Sequence, residues 1–317
     1  MVGRASLQLR ADISTITELV MESLGSSTAP SAILLIVIIL GVGLFFFYKG
    51  IFSAFSILSK GKLTSWQGIL VWICSFVLFF SLWDIVSQLE SEGINKIPSP
   101  VQTFAAAERL LVSGKLLSEA WVSCLRVAIG FVAASLVGVT IGLLAGSFLL
   151  INRLVVPVTS FLRYIPPTAF ISLLIVYFGI GETYKYAVIF FGVVFFIIQM
   201  VIDVVEDIDR RFLEMALTMG HNNWSIFKEV VIPASWPRIW DVLRINLSAS
   251  WTFLVAAEII GAERGLGHLI SVSQRYLRID DLYVGILIFG IIGIVTDRVL
   301  EWISRNLFRW HYVTINR

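Results

Sequence analysis

The sequence predicts an all-α, polytopic membrane protein of about seven transmembrane helices. Three observations carry that expectation. Hydrophobic residues make up 57% of the 317-residue chain and charged residues only 15%, against roughly 45–50% apolar and about 25% charged in soluble domains. Mean hydropathy is +0.88. Stretches with little or no charge recur along the chain, each close to the roughly 20 residues a bilayer-crossing helix needs. A bilayer offers backbone groups no water, so such spans are helical.

Residues 1–30 form an N-terminal segment in which Leu7 to Leu24 has amphipathic character. Region 31–95 holds two spans, Ser31 to Tyr48 and Gln67 to Trp83, both free of charge. Region 96–304 is expected to hold the remaining five. The third span, Val127 to Ile151, is long enough to cross with tilt. The fourth, Tyr164 to Gly181, carries Pro166 and Pro167 near one end, where packed neighbours can re-satisfy the freed carbonyls. Tyr186 to Ile202 is the fifth. The sixth, Ile245 to Ala262, is interrupted only by Glu258, and the seventh, Leu282 to about Ile303, has Asp297, Arg298 and Glu301 in its last turns. Residues 305–317 form a tail. The first apolar run begins only at Ser31 and no A-x-A-like site follows it, so no cleaved signal sequence is expected.

A polar island separates the fifth and sixth spans. Glu206, Asp207 and Asp209 precede apolar residues at Phe212, Leu213, Ala216, Leu217 and Met219, the pattern of a short helix with acids at its positive end. Gly220 ends that helix. His221, Asn222 and Asn223 offer caps for a second helix, Trp224 to Val231, with Trp224, Phe227, Val230 and Val231 on its apolar face and Pro233 and Pro237 stopping it. The product is a rigid helix, bend and helix that could sit in a partner's groove. An amphipathic loop on the membrane surface is the plainer alternative.

With the island taken as cytoplasmic, the loops Lys49 to Lys62 and Asn152 to Arg163, and the tail with Arg305, Arg309 and Arg317, are expected to be cytoplasmic as well, and their basic residues agree without fixing the topology alone. Lys96, Arg109, Lys115, Arg264, Arg275 and Arg278 on the other side make the bias modest. An odd span count puts the N-terminus outside and the C-terminus in the cytoplasm.

The third span carries Gly130, Ala134, Gly138, Gly142 and Gly146 at intervals of four, a ridge of small side chains against which another helix can press. Static packing is the simpler reading of the ridge and a sliding contact inside a moving bundle the other. Ionisable groups inside a membrane are costly and tend to mark pathways. Arg126 opens the third span and Glu258 nearly closes the sixth, so both lie towards the outer face and could pair. They either shape the outer mouth of a translocation path, with Arg126 drawing in an anion, or snorkel to the interface. Arg163 and Arg244 are expected as cytoplasmic anchors. Cys74 and Cys124 lie in or beside spans, so neither a disulfide nor a metal site is expected. A net charge of +2 without a basic cluster gives no reason to expect nucleic acid.

The island reads E-x-A-x3-G-x9-V-x-I-P, with Glu214, Ala216, Gly220 and Pro233 at its fixed positions. It is accompanied by I-P-S-P at Ile97 to Pro100, R-V-A-I-G-F at Arg126 to Phe131, R-Y-I-P-P-T-A-F at Arg163 to Phe170 and F-G-I-G-E at Phe178 to Glu182. A-A-E at Ala256 to Glu258 and G-L-G-H-L-I at Gly265 to Ile270 follow. In this order, over roughly two thirds of the chain, the motifs resemble the permease subunits of the nitrate, sulfonate, taurine and bicarbonate branch of binding-protein-dependent ABC importers. The resemblance implies a type I importer (MetI-like) core in a bacterial inner membrane, working by alternating access on a small oxyanion. It implies a second permease copy, two ATPase subunits that bind ATP and Mg, and an extracytoplasmic solute-binding protein. It further implies that Glu214, Ala216, Gly220, His221 and Trp224 form the coupling helices over 205–237, that Pro233 fixes their exit into the sixth span, and that Arg126, Trp251 and Glu258 border the path. The additional span, Ser31 to Tyr48, departs from the branch's usual six.

The chain has no G-x-x-x-x-G-K-[ST] phosphate loop, so it is not expected to be an enzyme or to bind a cofactor. The alternatives are an ATP-independent channel or secondary carrier, or import of a thiamine precursor or other small organic solute. Secondary carriers favour inverted repeats and buried carboxylates, and these spans are low in buried acids.

Overall fold

The computed structural model describes residues 65–89 and 97–308, and within them the regular structure is entirely helical. The expected first span, residues 1–30 and the end of the tail lie outside the described residues. Helix α1, Ser65–Leu89, contains the expected second span and belongs to the first of two units, divided after Leu89. Phe80 and Trp83 stack on it at 6.1 Å.

The second unit begins at I-P-S-P, which is a helix start. Ser99 caps α2, Pro100–Val112, by accepting from the Gln102 amide at 3.2 Å while Gln102 Oε1 accepts from the Ser99 amide at 3.0 Å. Pro100 sits in the first turn, where a missing N–H costs nothing. Helix α3, Lys115–Ser147, follows Gly114, whose φ is +70°. It is 33 residues long, roughly 50 Å at 1.5 Å per residue, and so extends past a hydrocarbon core of about 30 Å. The charge-free window from Val127 therefore understated its start: Glu119 and Arg126 lie on the same continuous helix.

The fourth span is not one straight helix. Helices α4, Leu149–Arg163, and α5, Pro167–Phe178, meet at 95°. Consecutive prolines at 166 and 167 remove two donors, and the residue before a proline is driven out of the helical region, as Pro166 is with ψ 127°. Helix α6, Glu182–Glu206, is the centre of the bundle, buried along nearly its whole length and packed against α3, α4, α5 and the sixth-span helix α9, Ile232–Gly261.

The polar island forms α7, Arg210–Thr218, and a one-turn helix α8, Asn223–Ile226. Pro233 and Pro237 do not stop the chain there, contrary to the expectation from their residue type. Asn223 to Gly261 is helical throughout, because a π turn at Phe227–Val231 widens the backbone just before Pro233. The Ile232 amide donates to the Phe227 carbonyl, five residues back. That wider turn removes the clash between a proline ring and the carbonyl four residues earlier. Ser235 then donates its hydroxyl to the Val231 carbonyl at 2.7 Å.

Helix α10, Leu266–Arg275, and α11, Ile279–Leu307, complete the fold. Leu110, Leu116, Leu266, Leu269 and Val284 pack α2, α3, α10 and α11 into a second apolar cluster, and Arg109 pairs with Asp280 and Asp281 at 2.8 and 2.9 Å across it.

Candidate functional site

The bundle has two polar ends, each built on α3, α6 and α9. Helices α3 and α6 run parallel through the ridge of small residues. A β-carbon at Gly130 would lie 2.8 Å from Ile189 Cβ, at Gly138 2.7 Å from Ile197 Cγ2, at Gly142 2.7 Å from Val201 Cβ and at Gly146 2.7 Å from Val205 Cβ. Ala134, between them, is fully buried, as is Val193. The ridge is a close helix contact with no room for a side chain.

At one end stands the helix, bend and helix of the island. Asp209 caps α7 by accepting from the Arg211 amide. At the other end of α7, Gly220 takes φ +85° and donates to the Leu217 carbonyl at 3.0 Å, while the His221 amide donates to the Ala216 carbonyl at 3.1 Å. This paired closure is the Schellman turn, which needs a left-handed residue where glycine stands. Asn222 Oδ1 then accepts from the Ser225 amide at 2.8 Å and starts α8. Ala216, Ile226, Phe227 and Val231 anchor the element in the core, and Phe227 packs on Phe148, at the break between α3 and α4, at 5.6 Å. Arg238 holds Asp207 at 2.7 Å, tying the start of α9 to the end of α6.

The apolar residues of α7 divide between two faces. Ala216 and Leu213 turn inward, whereas Phe212, Met215, Leu217 and Met219 are exposed, as is Trp224 on α8. Trp224 is braced by Phe227 beneath it at 5.3 Å and by Lys228 Nζ over its ring at 5.0 Å. Glu214 is also exposed, His221 lies 3.7 Å from Glu229, and Pro233 is exposed beyond the π turn.

At the opposite end, Arg126 and Glu258 pair at 2.6 Å. Neither snorkels: Arg126 is 2% exposed and Glu258 fully buried. Glu258 also accepts from the Ser123 hydroxyl at 2.8 Å and from the Gly267 amide at 2.7 Å. Ser123 Oγ accepts from the Leu266 amide at 2.9 Å, Glu119 accepts from the Gly265 amide, and Arg126 Nη1 donates to the Arg264 carbonyl at 2.6 Å. Side chains of α3 and α9 thus receive three successive amides at the start of α10. Gly265 has φ +115°, and a β-carbon there would overlap Glu258 and Arg126. A β-carbon at Gly267 would lie 2.5 Å from Glu258 Cβ. The A-A-E and G-L-G segments are therefore two halves of one contact.

The sequence reading missed Glu119, Ser123 and Lys185, and it noted Glu182 only within a motif. Spacing carried a signal: Glu119, Ser123 and Arg126 share one helix face, and Glu182 and Lys185 are one turn apart. Glu182 accepts a two-pronged contact from Arg126, with both distances 2.6 Å, and a third bond from Lys185 at 2.8 Å. Trp251 lies apart from this cluster. It is buried on α9 with its ring edge-on to Phe289 at 6.2 Å, and its indole N–H has no partner among the described residues. Arg244 does not stand alone as an anchor: it binds Asp297 through two nitrogens and Glu301 at 3.3 Å, joining α9 to α11.

Comparison with known proteins places this architecture. The family described as binding-protein-dependent transport system inner membrane component matches residues 138–309. A protein of Brucella melitensis described as a probable ABC transporter permease is 33% identical over 75% of this chain and 96% of its own length. The taurine transport system permease protein TauC of Escherichia coli is 28% identical over 75% of this chain and 89% of its own length, and the bicarbonate transport system permease protein CmpB of Synechococcus elongatus is 28% identical over 77% and 91%. Among solved structures, the MetNI methionine ABC transporter in an inward facing conformation superposes with a TM-score of 0.54 at 19% identity, over 60% of this chain and 95% of that one. The chain belongs to the family of binding-protein-dependent transport system inner membrane components, the permeases of ABC importers.

Proposed function

We propose that the chain is the path-forming permease of an ATP-driven importer for a small oxyanion, working by alternating access as one of two identical copies. Two ATPase subunits, carrying ATP and Mg, dock on α7 and α8, and an extracytoplasmic binding protein delivers the solute to the opposite end. Glu214, Ala216, Gly220, His221, Trp224 and Pro233 form and hold the docking element. Arg126 and Glu258 shape the outer end of the path, and the unpartnered indole N–H of Trp251 offers a donor inside the bundle.

The observation that carries this reading is the island itself. A helix closed by a glycine turn, rooted in the core and presenting Phe212, Met215, Met219 and Trp224 outward, is built to fill an apolar groove in a partner. The oxyanion assignment takes its support from relatives named for taurine, which carries a sulfonate, and for bicarbonate. The test is purification in mild detergent from the native host, followed by reconstitution into vesicles with any ATPase that accompanies the protein. An ATPase in equal proportion and ATP-dependent uptake of a sulfonate or bicarbonate are expected. Recovery of the chain alone, with ATP-independent flux, would favour a channel or carrier.

A further inference from the structure

Arg126 and Lys185 reach the same carboxylate from two helices, and the three groups differ sharply in access. The side chains of both cations are 3% exposed, whereas that of Glu182 is 49% exposed. The Arg126 guanidinium has two unlike edges. Its Nη1 is fixed to fully buried Glu258 and to the Arg264 carbonyl, contacts that cannot be exchanged without opening the core. Its Nε and Nη2 both point at Glu182, a group that reaches the surface.

Glu182 is also poorly held by its backbone. It is the first residue of α6 and follows Gly179, with φ +71°, and Gly181, and a β-carbon at either glycine would meet nothing within 4 Å. If this side chain swings out, a guanidinium fork and an ammonium remain, both buried and both aimed at the place the carboxylate has left. A planar fork of this kind takes two oxygens of a carboxylate in parallel and accepts any anion presenting the same pair. A monoanion with two oxygens on one face would restore all three hydrogen bonds and leave the charge of the cluster unchanged.

We propose that Arg126 and Lys185 form an oxyanion-exchange site in which Glu182 is the resident, displaceable ligand, and that a small sulfonate, carboxylate or bicarbonate takes its place. This rests on the reading of the chain as an oxyanion importer and gives that reading a receiving site on the permease. Exchange frees Glu182 and the 179–181 turn from Arg126, so arrival of the anion loosens the start of α6.

The test is calorimetric titration of methanesulfonate into the full-length protein, purified in a neutral detergent with any ATPase that accompanies it. Glu182→Gln removes the competing carboxylate, which as a tethered ligand acts at an effective concentration in the millimolar range or above. Methanesulfonate should then bind at least about tenfold more tightly, dimethyl sulfone should not bind, and adding Lys185→Met should abolish the gain. Unchanged or weaker binding in a Glu182→Gln protein with a normal melting temperature overturns the proposal. Should that variant melt early, Glu182→Asp keeps the charge but cannot span both cations, and it must shift affinity in the same direction. Methanesulfonate binding that phosphatidylglycerol displaces assigns the site to a lipid headgroup and overturns the solute assignment. ATP-driven uptake with no effect at Glu182 removes only the exchange site, whereas absence of an ATPase partner removes the importer reading.

Discussion

Gly220 isolates a backbone requirement from a packing one. It adopts φ +85° with open space around its missing side chain, so a substitution there meets strain and no clash. A β-branched residue is strongly disfavoured in the left-handed region, at a cost of about 1–2 kcal/mol, while asparagine visits it routinely. Gly220→Val should therefore unwind the turn between α7 and α8 and lower ATPase co-purification, and Gly220→Asn should retain it. Equal loss, or no loss, in both variants would remove the docking role of the turn. Glu258 carries the opposite kind of constraint. Breaking a buried ion pair from one side costs about 3–5 kcal/mol, so Glu258→Gln should lower the melting temperature and uptake. ATPase binding should be spared, because the docking element lies at the other end of the bundle. An unchanged melting temperature would sink the claim that pairing of this carboxylate with Arg126 holds the bundle together. The Arg126 and Glu258 pair was legible in the sequence because charge in an apolar span is rare. Their shared contacts to amides 265–267 were not, since backbone donors leave no mark on residue type.

At the scale of the helix, the ridge on α3 makes the sharpest prediction. Gly142 has Val201 Cβ and the Ile198 carbonyl 2.7 and 2.9 Å from where its β-carbon would stand. Gly142→Leu must push α3 from α6, and overpacking of this kind costs about 1–3 kcal/mol or more. Gly290 on α11 has nothing within 4 Å, so Gly290→Ala should be neutral. The two melting temperatures, measured side by side, decide whether the ridge or glycine content in general matters. The same scale shows what sequence reading can and cannot reach. The ridge was legible because an interval of four is the helix repeat itself, and α3, α6 and α11 because apolar length suffices to find a span. Pro166 with Pro167, and Pro233 with Pro237, could not be told apart by residue type. The first pair bends the chain by 95°, while at the second a π turn lets the helix pass. That difference lies in neighbouring turns, Phe227 to Val231 and the Ser235 hydroxyl, which the proline motif does not encode.

The second unit is polarised. Because α3 and α6 are parallel, the bent pair α4 and α5 makes one return crossing between them, and α9 runs back the other way. The ends of α3, α6 and α9 sort accordingly: Arg126, Glu182 and Glu258 gather at one end, and Phe148, Phe227, Asp207 and Arg238 at the other. Arg153, Arg163, Arg210, Arg211 and Lys228 lie at or beside this second end in the sequence, and on that positive-inside bias we propose that it faces the cytoplasm. In a variant with Cys74 and Cys124 replaced, a cysteine at Met219 should then be reached by a membrane-impermeant thiol reagent only from the cytoplasmic face. A cysteine at Tyr276, in the turn between α10 and α11, should be reached only from outside. Both positions are exposed, so failure to label reports sidedness and not burial. Labelling of both from the same face would contradict the fold, and reversal of the two would put the docking element outside, beyond reach of any ATPase in the cell.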